Sequence, residues 1–112
     1  MSNECWLVSG GHVLASAEVA DDRRSRARGL LGRSGVNGAF VLTKCRSVHS
    51  IGMKFALDVA YLDENGIVLK VAHMHRNRIG MPVWKARTVV EGEAGAFERW
   101  GLHVGDQLEL RE

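Results

Sequence analysis

Proline occurs once in this chain, at Pro82, and cysteine twice, at Cys5 and Cys45. One proline leaves nothing from which to build a proline-rich linker or recognition tract. Two cysteines make no disulfide framework, and they are read as free, buried thiols of a reducing compartment. Long hydrophobic runs are also missing: no stretch approaches the roughly 20 apolar residues that a membrane-spanning helix needs, so membrane insertion is not expected. The start, residues 1–8, carries Glu4 where a secretory leader would carry positive charge, and its apolar run at 5–8 is too short for one. The expected location is therefore cytoplasmic. An excess of one charge is lacking as well, since the formal net charge is only +2.

What is present is ordinary for a globular domain, with 46% apolar and 25% charged residues in a chain of 112. That length builds one core but not two, so residues 1–112 are read as a single domain. The charges are unevenly spread. Residues 44–87 hold eight basic side chains against Asp58, Asp63 and Glu64, and the last 25 residues reverse the sign. A basic middle segment can present a cationic face to an anion, although solvated surface charge gives the same pattern.

Patterning predicts many short strands. Residues 6–8 and 12–19 read as strands around the Gly10-Gly11 turn, with Val13, Ala15, Ala17 and Val19 on one face. Asp21 or Asp22 caps a short helix running to Leu31, stopped by Gly32. Residues 39–43 and 57–62 read as strands, and Asp63-Glu64-Asn65-Gly66 turns the second into a return strand at 67–74. Residues 76–86 form a loop around Pro82 that leads to a strand at 87–91. Residues 94–100 form a second short helix, and a turn at Val104-Gly105-Asp106 precedes a last strand at 107–110. The fold class is mainly β: a compact antiparallel β-sandwich or barrel-like roll with one or two short helices.

Five short signatures now stand in order: Arg28-Gly29-Leu30-Leu31-Gly32-Arg33; Gly38-Ala39-Phe40-Val41; Leu57-Asp58-Val59-Ala60-Tyr61-Leu62-Asp63 with Gly66; Val90-Glu91-Gly92-Glu93-Ala94-Gly95; and Val104-Gly105-Asp106. Together they resemble the domain of unknown function 192 (DUF192) family over roughly residues 12–110. The resemblance implies a compact, mostly antiparallel β fold found in bacterial and archaeal proteins, and it brings no established reaction, ligand or catalytic residue. One stretch departs from it. Many members carry Phe-Trp-Met-Lys-Asn-Thr ahead of the Leu-Asp strand, where this chain has Val48-His49-Ser50-Ile51-Gly52-Met53. An imidazole thus stands in place of an indole, and no ligand is carried over.

Cys45, His49, His73 and His75 are residue types that zinc prefers, and His73 and His75 share one face of a strand. No Cys-x-x-Cys or His-Glu-x-x-His motif accompanies them, and no metal or other cofactor is expected. Cys45 with His49 is the one nucleophile–base pair that sequence proximity offers. Asp58 interrupts an apolar strand, and burying a carboxylate without a donor is costly. It is read as a structural tether to Arg28, or else to backbone amides, ahead of a general acid–base role. Glu91-Gly92-Glu93 is read as solvent-facing and Trp6, Phe97 and Trp100 as core, whereas Trp84 is the aromatic expected at the surface.

These readings converge on a noncatalytic binding or accessory module, working as a monomer or weak dimer, with no catalytic residue assigned. Its expected partner is a small anionic ligand or a protein, and the candidate contact residues are His49, Lys54, Arg76, Arg78, Trp84 and Lys85. Two alternatives stay open. One is a small hydrolase or metal-dependent enzyme built on Cys45, His49 and His73. The other is weak nucleic-acid binding through the basic segment 70–87, with Trp84 as a stacking surface.

Overall fold

Glycine turns and alternating side chains build most of the architecture. In the computed structural model, which describes residues 5–112, β1 (Cys5–Ser9) and β2 (His12–Ala20) form an antiparallel hairpin. Its turn residues Gly10 and Gly11 both have positive φ. Residues 1–4, read above for a leader, lie outside the described residues. After β2 the side chain of Asp22 accepts from the backbone N–H of Ser25 at 2.8 Å and caps α1 (Arg23–Arg28). The helix is shorter than expected: Gly29, at φ 53°, ends it instead of Gly32, and Leu30 and Leu31 continue as tight turns.

Then follow β3 (Ala39–Thr43), β4 (Leu57–Leu62) and β5 (Val68–Met74). The β4–β5 turn forms as its sequence requires, with the Asp63 carboxylate accepting from the backbone N–H groups of Asn65 and Ile67. Next come β6 (Thr88–Glu93), α2 (Ala96–Trp100) and β7 (Leu108–Arg111). The strands make one seven-stranded sheet in the order β5-β4-β6-β3-β2-β1-β7. The mainly β expectation holds, with one exception to antiparallel pairing: β2 and β3 run parallel, joined by the crossover that contains α1.

Successive residues of a strand point to opposite faces, so each face carries its own core. Ala60, Leu62, Val41, Val90 and Leu7 fill the face that α2 covers with Phe97. Leu57, Val59, Tyr61, Phe40 and Val89 fill the other, with Leu30 and Met53 packed on it. The sheet curls until its edges meet near the start of β5 and β7. One bridge, Ile67 to Gln107, and the bonds Val68 N–H to Asp106 O and Leu108 N–H to Gly66 O join them. They do not form a continuous ladder, so the sheet stays unclosed. Cys5 and Cys45 are both free, the first buried and the second half-buried. Trp6, expected in the core, is half exposed, because alternation along β1 gives the interior to Cys5 and Leu7.

Candidate ligand-binding face and pocket

Two irregular segments, 44–56 and 75–87, cross the sheet face that carries Tyr61 and Val89. Each is too polar and aperiodic to be a strand, and backbone bonds tie one to the other. Ser50 N–H donates to Arg78 O at 2.7 Å, Gly80 N–H to Val48 O at 2.9 Å, and Val83 N–H to Arg46 O at 2.9 Å. His49 and Ile79 form an antiparallel bridge. Ser50 is the fastener. Fully buried, its hydroxyl donates to His75 O and accepts from Arg78 N–H at 2.9 Å. Asn77, at φ 60°, accepts on its side-chain oxygen from Gly52 N–H at 3.0 Å. Nothing in the sequence flagged Ser50, because one serine in a loop carries no periodic signal.

This layer brings together the two segments that the sequence reading had grouped. His49, Lys54, Arg76, Arg78, Trp84 and Lys85 are all exposed. So are large apolar side chains: Trp84 is 81% exposed, Ile79 76% and Met81 74%. The guanidinium of Arg46, absent from the expected set, lies 5.6 Å from the centre of the Trp84 ring, a cation–π contact. The result is an apolar platform with cationic neighbours.

Beside the platform, between the end of α1 and residues 45–53, opens a pocket of about 100 Å³. Cys45, His49, Arg26 and Arg28 line it, together with Leu30, Leu42 and Met53, and Glu91 reaches it from the sheet. Glu91 corrects the reading of that residue as solvent-facing: it is only 4% exposed, because β6 is flanked by both β3 and β4, opposite Phe40 and Val59. Burial alone pushes its pKa up to about 7. No described residue hydrogen-bonds to its carboxyl, whose oxygens are open to the pocket instead of sealed in the core.

Cys45 and His49 do share this pocket, but the geometry does not arm the thiol. Cys45 donates to Ser47 O at 3.1 Å, and burial foremost, with the nearby Glu91 carboxyl adding to it, pushes its pKa up. A reactive cysteine needs the opposite shift. The third member of the expected cluster is elsewhere. His73 faces Asp58 across the β4–β5 ladder, on the sheet face covered by α2, whereas Glu91 and the pocket are on the other. Among the described residues, no three His, Cys, Asp or Glu side chains are placed to hold a metal.

Asp58 is a tether, but Arg28 is not its partner. One carboxylate oxygen accepts from the backbone N–H groups of Gly95 at 2.9 Å and Phe97 at 3.2 Å, and the other lies 3.2 Å from His73 Nδ1. Arg28 is exposed at the end of α1 and makes no ion pair among the described residues. The physical reason lies in α2. Its N-cap, Gly95, has no side chain, so its first amides need an acceptor from outside, and the sheet supplies Asp58.

Comparisons with known proteins agree with this architecture. The profile of the DUF192 family, described as an uncharacterized ACR, matches residues 6–110. UPF0127 protein PF1050 of Pyrococcus furiosus is 36% identical over 63 residues, a match covering 56% of this chain and 54% of that protein. The matched stretch thus spans about half the length of that curated relative. A solved structure from Sinorhizobium meliloti, provisionally named a transcription regulator, superposes with a TM-score of 0.79 at 19% identity, covering 98% of this chain and 94% of that one. A protein of unknown function from Novosphingobium aromaticivorans gives 0.76 at 16% identity, covering 96% and 84%. At such identities the two structures show the fold alone. Among the described residues no helix is long and apolar enough to cross a membrane.

Proposed function

This chain belongs to the DUF192 family, and we propose that it acts as a noncatalytic binding module whose platform, residues 45–54 and 76–87, holds an acidic, apolar-bearing segment of a partner protein. The observation that carries the reading is the exposure of Ile79, Met81 and Trp84 on one short segment that also contains Arg78 and Lys85, with Arg46 against the indole. Large apolar side chains gathered on one exposed segment mark an interaction site, and tryptophan, methionine and arginine are the residues that interfaces favour. A neighbouring cationic rim selects and steers an acidic partner. Ser50 and Asn77 fix the layer beforehand, so little order must be gained on binding.

The name of the Sinorhizobium neighbour makes nucleic acid the competing occupant. A nucleic-acid strand is held by several aromatic stacking surfaces along a basic groove. This platform offers one indole beside two aliphatic side chains, which suits apolar protein side chains better. The free thiols accord with a cytoplasmic setting.

Selection from a random-peptide library on the immobilised protein tests the reading. The enriched peptides should combine acidic residues with leucine or an aromatic. The double variant Trp84→Ala with Arg46→Ala should weaken them by about tenfold or more, a loss of about 1.4 kcal/mol. Peptides of no common chemistry, an unchanged affinity in the double variant, or tighter capture of single-stranded DNA would overturn it.

A further inference from the structure

We propose that the pocket beneath α1 is a binding site for a small amino-carboxylate: a primary ammonium on a short apolar stem that ends in a carboxylate. Glu91 takes the ammonium and Arg28, at the rim, takes the carboxylate. This inference goes beyond the platform and rests on different side chains.

A carboxyl held in the middle of a central strand, 4% exposed and without a hydrogen-bond partner among the described residues, is expensive to bury. An apolar residue there would simply extend the core formed by Val89 and Phe40. Glu91 lines a cavity, and a donor that enters this cavity supplies the missing bond. Among the described residues no cation is bonded to Glu91: Arg33 pairs with Glu18 at 2.7 Å, and Arg26 donates to Asp21 O at 2.8 Å. Leu30, Leu42 and Met53 wall the cavity and suit methylenes. At about 100 Å³ the cavity takes an ammonium on a short stem and leaves the carboxylate at the rim beside Arg28.

The rim decides what else the guest carries. Arg28 lines the pocket, is exposed and lacks a carboxylate partner among the described residues, so a simple amine would meet repulsion at the entrance. A simple carboxylate would meet Glu91 at the floor. Only a molecule with both charges satisfies both ends. A metal ion is disfavoured because no three ligating side chains converge among the described residues.

Calorimetric titration of the full chain at about pH 8 with 4-aminobutanoate, n-butylamine and butyrate tests the site, since Glu91 is then ionised. The amino acid should bind, the amine should bind about tenfold more weakly, and butyrate should give no heat. Affinity for the amino acid should fall as the pH is lowered through about 7, where Glu91 takes up its proton. Glu91→Gln, nearly the same shape, should abolish binding, and Arg28→Ala, a surface change that leaves the fold intact, should weaken it about tenfold. Binding of butyrate, equal binding of the amine, an unaltered affinity in either variant, or no heat from any of the three probes would overturn the proposal.

Discussion

Glu91 illustrates how one residue can set the pH response of the whole molecule. Its carboxyl is buried in the folded state, with a pKa of about 7, and returns to the ordinary 4.5 when the chain unfolds. The folded protein therefore holds this proton to higher pH than the unfolded chain does. The stability linked to the group is fully present below about pH 4.5 and is lost as the pH rises through about 7. Denaturant titrations at several pH values should show Glu91→Gln lacking this decline and exceeding the parent above neutrality by a few kcal/mol, on the order of the shift's free energy. Parallel curves for the two proteins would contradict the assignment. Asp58 has the opposite character, being fully engaged. Asp58→Ala strands the first amides of α2 and should cost about 2 kcal/mol of unfolding free energy in denaturant titrations, with Asp58→Asn losing less because one acceptor oxygen remains. The sequence made Asp58 conspicuous as a charge inside an apolar strand, and the tether follows from that. Its partner was not legible, because the amides of Gly95 and Phe97 lie 37 and 39 residues away along the chain. Glu91 was misread for a related reason: Glu-Gly-Glu looks like surface, and only the strands on both sides of β6 bury Glu91 while Glu93 stays exposed.

Among the elements, strands and loops differ in how far local sequence specifies them. The β4–β5 hairpin follows from an apolar run, an Asn-Gly pair and a return strand, all read within a few residues of one another. The two segments that cover the sheet follow no such period, since side-chain-to-backbone bonds hold them and both partners must be placed first. Their grouping into one face was still legible from charge and from Trp84. Ser50→Ala should release this layer while leaving the hairpins in place. Amide exchange at Asn77, Arg78 and Gly80 should accelerate about tenfold or more, matching the loss of a buried hydrogen bond, with β4 and β6 unchanged. Uniform acceleration everywhere would mean that Ser50 supports the entire fold. Gly80 shows why the two segments lie so close: a Cβ there would stand 2.8 Å from Met74 Cε and 2.9 Å from Val48 O.

For the molecule as a whole, curling of the sheet joins residues from its two ends. Gly66 sits at that junction, with φ 79° and no room for a Cβ against the carbonyl of Leu108. Gly66→Ala should therefore part β5 from β7 and lower stability by about 1–3 kcal/mol by thermal melting. The chain's patterning predicted a β-rich roll, but not the parallel β2–β3 pair or the incomplete closure, both of which depend on how distant edges meet. The same distant packing leaves Arg46, Ile79, Met81 and Trp84 exposed on the layer built by residues 45–54 and 76–87, the proposed platform. The most direct measurement is amide chemical-shift mapping of the full chain with the tightest peptide from the library selection. The account predicts shifts concentrated in residues 46–51 and 78–85 and lost in Trp84→Ala with Arg46→Ala. Shifts centred instead on β1, β7 or the β4–β5 turn would contradict it.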